Sequence, residues 1–201
     1  MGRKSAAAEK SVQIVAAYCD CVVELGIDKA SMGEVASRLG MDRSTVHYYF
    51  RTREALVAAA AMHITRHYVE RMEEAVASLD SRDRARSLIE LLFGPTFHDP
   101  RRSTILDELG TLGNREPFFL EQVKLVYEGI DSMIVKIFNE SFPNVPDKRQ
   151  RTAAYAISAL AEGTSVLMGL GFSKTHRLAA RQVALKLLDE LVGPAQLAPA
   201  A

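Results

Sequence analysis

A chain of 201 residues that is 48% hydrophobic can bury a sizeable core in one or two domains, and its longest apolar run, residues 55–62, falls far short of the ~20 residues that span a bilayer. The opening MGRKSAAAEK has charge but no apolar stretch, so neither a secretion signal nor a membrane partner is expected, and a cytoplasmic location is. The formal net charge is +0 and residues 1–60 carry one more Lys or Arg than Asp or Glu, so the total charge does not decide for or against nucleic acid; placement of the cations does.

Residues 1–8 are small and polar around Arg3 and Lys4 and read as a frayed terminus, or as an arm that reaches phosphates or a minor groove. From Glu9 to Leu25, Ile14, Ala17, Tyr18, Cys21, Val22 and Leu25 fall at helical core spacing. Cys19 and Cys21 point to different faces of that helix, so they are read as packing and not as a disulfide. Ser31 followed by Glu34 is a capping box that opens a short helix, and Gly40 stands where the chain must leave it. Asp42 is placed to cap the next helix, in which Val46, Tyr49 and Phe50 share the inner face. Arg43, Ser44, Thr45, His47 and Tyr48 are left outward, a polar and aromatic face with no acid. Two short helices around a glycine turn, the second with such a face, predict a helix-turn-helix whose second helix enters the DNA major groove. Thr52 caps a further helix, with Glu54 in its first turn, and this connector runs unbroken to about Ser78. His63 and His67 stand at i and i+4 on it without a third ligand and read as helix-surface residues.

Beyond the break at residues 80–83 a shorter helix carries Leu88, Ile89, Leu92 and Phe93 until Gly94-Pro95. Another lies within Phe97 to Asn114. Pro117 suits the first turn of a long helix with Val123, Tyr127, Ile130, Ile134 and Phe138, which Pro143 and Pro146 end. Small residues dominate from Asp147 to Gly171, and a last helix from Thr175 to Leu191 has leucines along one side. No strand-like alternation, internal repeat or low-complexity block is present. The expected fold is all-α with about nine helices, three in a DNA-binding head and the rest in a helical body joined to it by the connector. Glu108 and Glu162 are carboxylates in apolar settings, which require a partner or a ligand.

The run from Asp42 to Leu56 resembles the recognition region of the TetR-like bacterial transcriptional regulators, with Thr45, Tyr49, Phe50, Glu54 and Leu56 in register and Gly26-Ile27 and Ser31 matching upstream. It departs from the pattern at Met32, at Asp42 (for serine), at His47 (for tyrosine) and at Arg53 (for lysine). The resemblance implies a DNA-binding domain over 8–68 and an effector-binding and dimerisation domain over 80–193. It also implies a repressor, released from a palindromic double-stranded operator by a small, largely apolar effector, that dimerises through the helices at 147–171 and 175–191. Ser31, Arg43, Ser44, Thr45, His47, Tyr48, Tyr49 and Arg53 are the DNA-contact candidates, Arg53 through phosphate. From the proposed inward faces, Phe93, Leu109, Phe119, Val123, Tyr127, Tyr155 and Glu162 are the pocket candidates. An architectural or cell-division DNA-binding protein on the same fold is the alternative. No nucleophile–base pair, metal set or cofactor loop supports an enzyme, so no catalytic residue, metal or cofactor is expected.

Overall fold

The computed structural model describes residues 2–77, 81–94 and 99–192, the side chains of 2–5, 81–83 and 192 excepted. Among these residues there are nine helices and no strand: α1 (Gly2–Leu25), α2 (Met32–Leu39), α3 (Arg43–Tyr49), α4 (Arg53–Ala77), α5 (Ser81–Leu92), α6 (Pro100–Gly113), α7 (Pro117–Ser141), α8 (Asp147–Gly169) and α9 (Lys174–Val192). The all-α expectation holds. The frayed N-terminus does not, because α1 already begins at Gly2. Ala6, Ala7 and Ala8 are the strongest helix formers, and no breaker separates them from the amphipathic stretch that follows.

The described chain divides into two compact units. One holds Met1–His67 with Arg101–Tyr127, the other Tyr68–Pro100 with Glu128–Ala201. Residues 101–127 therefore group with the N-terminal helices and not with the body in which 80–193 were expected. The reason lies in the core of the head. Ile14, Tyr18, Cys21 and Val22 of α1, Val35 and Ala36 of α2, Val46 of α3 and Leu56, Val57 and Ala60 of α4 share one buried cluster with Ile105, Leu109 and Leu112 of α6 and Phe119 of α7. Three helices alone expose a large share of their surface, and a domain near 60 residues is marginal by itself. Here α6 and the start of α7 supply four large apolar side chains to that cluster.

Within the second unit, Met72 and Val76 of α4, Leu88, Ile89 and Leu92 of α5, Ile130, Ile134 and Phe138 of α7, Ile157 and Ala161 of α8 and Ala184 and Leu188 of α9 are buried. Helices α8 and α9 pack along each other, and α5 packs on both. Gln150 closes the α7–α8 turn from inside, its side-chain amide donating to the carbonyls of Phe142 (3.1 Å) and Val145 (2.9 Å).

Candidate nucleic-acid interface

The head is assembled by local chemistry. Ser31 is extended (φ −108°, ψ 160°) and its hydroxyl accepts from the Glu34 N–H at 3.1 Å, satisfying one of the orphan donors of α2. At the far end Gly40 takes φ 61°, a left-handed conformation that a side chain makes costly, and the Met41 N–H returns to the Ala36 carbonyl at 3.0 Å. Asp42 occupies the N-cap position of α3, but its side chain makes no capping bond, contrary to the expectation; the Thr45 N–H is satisfied by the Asp42 carbonyl at 2.9 Å instead.

Helix α3 is anchored by Val46, which is fully buried, and by Phe50 just beyond it. Tyr49 is half-buried against the same core and meets Tyr48 edge-on, ring centroids 5.3 Å apart. Arg43, Ser44 and His47 are exposed, Thr45 is half-buried, and Tyr48 is 80% exposed. A large aromatic so exposed beside cationic and hydroxylic side chains is the polar, acid-free face that the spacing predicts. Arg51 is exposed next to it. Thr52 caps α4 by accepting from the Ala55 N–H at 3.1 Å, and hydrogen bonds from its own backbone N–H and from Thr52 hold the Glu54 carboxyl below its usual range.

Arg53 is placed otherwise than expected. Its guanidinium donates to the Ile27 carbonyl at 2.9 Å and lies 5.5 Å from the centre of the Phe119 ring, so it is turned into the head. Glu108, noted in the sequence only as a carboxylate in need of a partner, accepts from the Ile27 N–H at 2.9 Å. The ion pairs Arg101–Asp20 and Arg38–Glu24 brace α1 from α6 and α2, and the Arg38 guanidinium holds the Glu24 carboxyl low.

Residues 14–60 match the family model described as bacterial regulatory proteins, tetR family. The HTH-type transcriptional regulator YvdT of Bacillus subtilis, itself uncharacterised, is 23% identical over 172 residues, 84% of this chain and 87% of its own length. The HTH-type transcriptional regulator BetI of Yersinia pestis is 31% identical over 81 residues, which cover 39% of this chain and 41% of that relative. A TetR transcription regulator from Haloarcula marismortui superposes with a TM-score of 0.74 at 19% identity, over 92% of this chain and all of that one. Residues 14–60 thus carry a tetR-family segment, and the chain as a whole is similar to TetR-like transcriptional regulators.

The pocket candidates do not gather in one place. Leu109 and Phe119 are fully buried in the head core and Val123 packs against it, because α6 and α7 give that face to the helix-turn-helix. Tyr127 also falls in the head unit, partly exposed. Tyr155, expected inward, is 72% exposed on α8. Phe93 is buried and Glu162 half-buried in the helical body. His63 and His67 stack with centroids 6.4 Å apart, and no group of three metal-ligating side chains occurs among the described residues. Cys19 and Cys21 are free and buried, as packing requires. No described helix is long and apolar enough to cross a membrane.

Along α8, at its C-cap Leu170 and along α9 the chain exposes Tyr155, Val166, Leu167, Leu170, Leu178 and Val183.

Proposed function

We propose that the regulator binds a near-palindromic operator as a homodimer, each subunit laying α3 in the major groove. The observation that carries this reading is the exposed, acid-free face of Arg43, Ser44, His47 and Tyr48, held outward by buried Val46 and Phe50. Bases are read by donors and acceptors at groove depth and phosphates by cations at its edge, and this face offers both kinds. Thr45 and Tyr49 stand half-buried at its margin, Ser31 presents the start of α2 beside it, and Arg51 replaces Arg53 as the cation available to phosphate. Two-fold symmetry through α8 and α9 gives two reading heads, and a symmetric pair of heads calls for symmetric half-sites.

Repression relieved by a small, largely apolar effector is supported by the resemblance to the family. Phe93 and Glu162 are the pocket candidates kept for it; Leu109, Phe119, Val123, Tyr127 and Tyr155 are given up. Selection of bound duplexes from random DNA tests the central reading. A two-fold symmetric consensus is expected, and recovery of no consensus would sink it. Release of that duplex across a metabolite panel then separates an effector-controlled repressor from an architectural DNA-binding protein.

A further inference from the structure

The turn between α1 and α2 is held from outside the three helices of the reading head. Gly26 reverses the chain there with φ 80°, its N–H returning to the Val22 carbonyl at 3.0 Å, and the Ile27 side chain drops into the core. The two backbone polar groups of Ile27 go to charged side chains from distant parts of the chain. Its N–H donates to Glu108 on α6, 81 residues away, and its carbonyl accepts from Arg53 at the start of α4, 26 residues away, each at 2.9 Å. Hydrogen bonds with a charged partner are stronger than neutral ones, and removal of either partner strands a buried backbone group. Arg53 follows α3 almost at once and rests on Phe119 of α7, so the same residue that grips the turn before α2 also fixes the exit of α3. The Arg101–Asp20 pair makes a second link from α6 to α1.

We propose that Glu108 and Arg53 are positioning residues for DNA binding. By gripping the backbone of Ile27 from both sides they set the angle at which α2 and α3 leave α1. Operator affinity therefore depends on a carboxylate that α6 supplies from outside the 14–60 segment carrying the family match. On this proposal neither side chain contacts DNA, and Arg53 keeps its charge but directs it toward the Ile27 carbonyl and the Phe119 ring instead of phosphate. The proposal rests on α3 being the DNA-reading helix.

The test uses the full chain with a selected operator and a scrambled duplex over a range of salt. A wild-type protein that does not distinguish the two duplexes defeats the reading of α3, independently of anything at Glu108. Given discrimination, Glu108→Ala is expected to lower operator affinity roughly tenfold with an unchanged salt slope. It should also speed amide exchange at Ile27 while α9 keeps its protection, which a general loss of stability would not do. Glu108→Gln, whose amide oxygen still accepts from the Ile27 N–H, should recover most of the affinity. Arg53→Met should repeat the loss at unchanged salt slope. Wild-type affinity in Glu108→Ala overturns the proposal, as does a slope flattened by about one unit per subunit in Arg53→Met. If Glu108→Ala does not fold, Arg53→Met decides alone, and wild-type operator affinity in that variant overturns the proposal equally.

Discussion

At the scale of single residues, His47 is where the reading face departs most from the pattern it otherwise follows. It is exposed in the middle of α3, on the side away from buried Val46 and Phe50. A neutral imidazole donates or accepts at a base edge, so His47→Ala should cost ~1–3 kcal/mol at the preferred operator and much less on scrambled duplex. Binding curves for both proteins on both duplexes at fixed salt check this, and equal losses would remove His47 from base readout. A second consequence concerns pH. Burial pushes the Tyr18 hydroxyl up to about 12 against the opposing charge of Arg53, and pushes the Cys19 thiol up to about 12 against that of Arg101. Both folded values lie above the ordinary 10.0 and 9.0, so the unfolded chain gives up these protons first as pH rises. Their stability contribution is complete below pH 9.0 and is lost on the way to 12. Denaturant midpoints should therefore fall as pH rises from 9.0 to about 12, and Tyr18→Phe should make the fall shallower; a midpoint that stays level over this range would contradict the burial of both groups.

Among the elements, α2 shows most directly how a short helix survives. Eight residues nucleate poorly in water, so α2 relies on its ends and on its buried face of Met32, Val35 and Ala36. Ser31 supplies the N-terminal bond and Gly40 the left-handed exit. Ser31→Ala should therefore destabilise the head by about 1 kcal/mol, read as a shift of the urea midpoint with unchanged m-value. Ser31→Asp, which restores an acceptor at the cap, should recover most of the loss; a neutral Ser31→Ala would mean that tertiary packing alone holds α2. Helix α3 behaves differently. It lacks a side-chain cap and keeps its place through Val46, Phe50 and the brace that Arg53 provides behind it.

For the molecule as a whole, the exposed apolar residues of α8 and α9 carry the prediction. Val166 on α8 is 58% and Leu170, just beyond the end of that helix, 72% exposed, while the other face of α8 is buried in the body. Covering such a face with a second copy removes it from water, and the heads of a dimer then address two half-sites together. Light scattering at micromolar concentration should give a dimer. Val166→Glu should shift it toward monomer, because the partner face would have to bury an unpaired carboxylate. The same substitution should weaken operator binding well over tenfold through loss of the second head, while leaving the fold of the head intact. A monomeric wild type, or a Val166→Glu variant that stays dimeric, would move the interface elsewhere.

The order and type of the helices, the turn at Gly40, the caps at Ser31 and Thr52 and the outward face of α3 were all legible in the residues, because each depends on contacts within about four positions along the chain. The family resemblance of residues 42–56 was legible for the same reason. Periodicity says which face of a helix is apolar but not what that face meets. Leu109 and Phe119 carry the same pattern whether they line a pocket or fill the core of the head, and the tertiary structure assigns them to the core. Tyr155 illustrates the converse, an aromatic on a helix of small residues that tertiary packing leaves in solvent. Glu108 announced its need of a partner through its apolar neighbours, yet the partner is a backbone N–H 81 residues earlier, a group that every residue type except proline possesses and that no sequence pattern marks. Arg53 stood in a motif position that implied phosphate, and only the folded chain, by bringing Ile27 and Phe119 to its guanidinium, turned it inward.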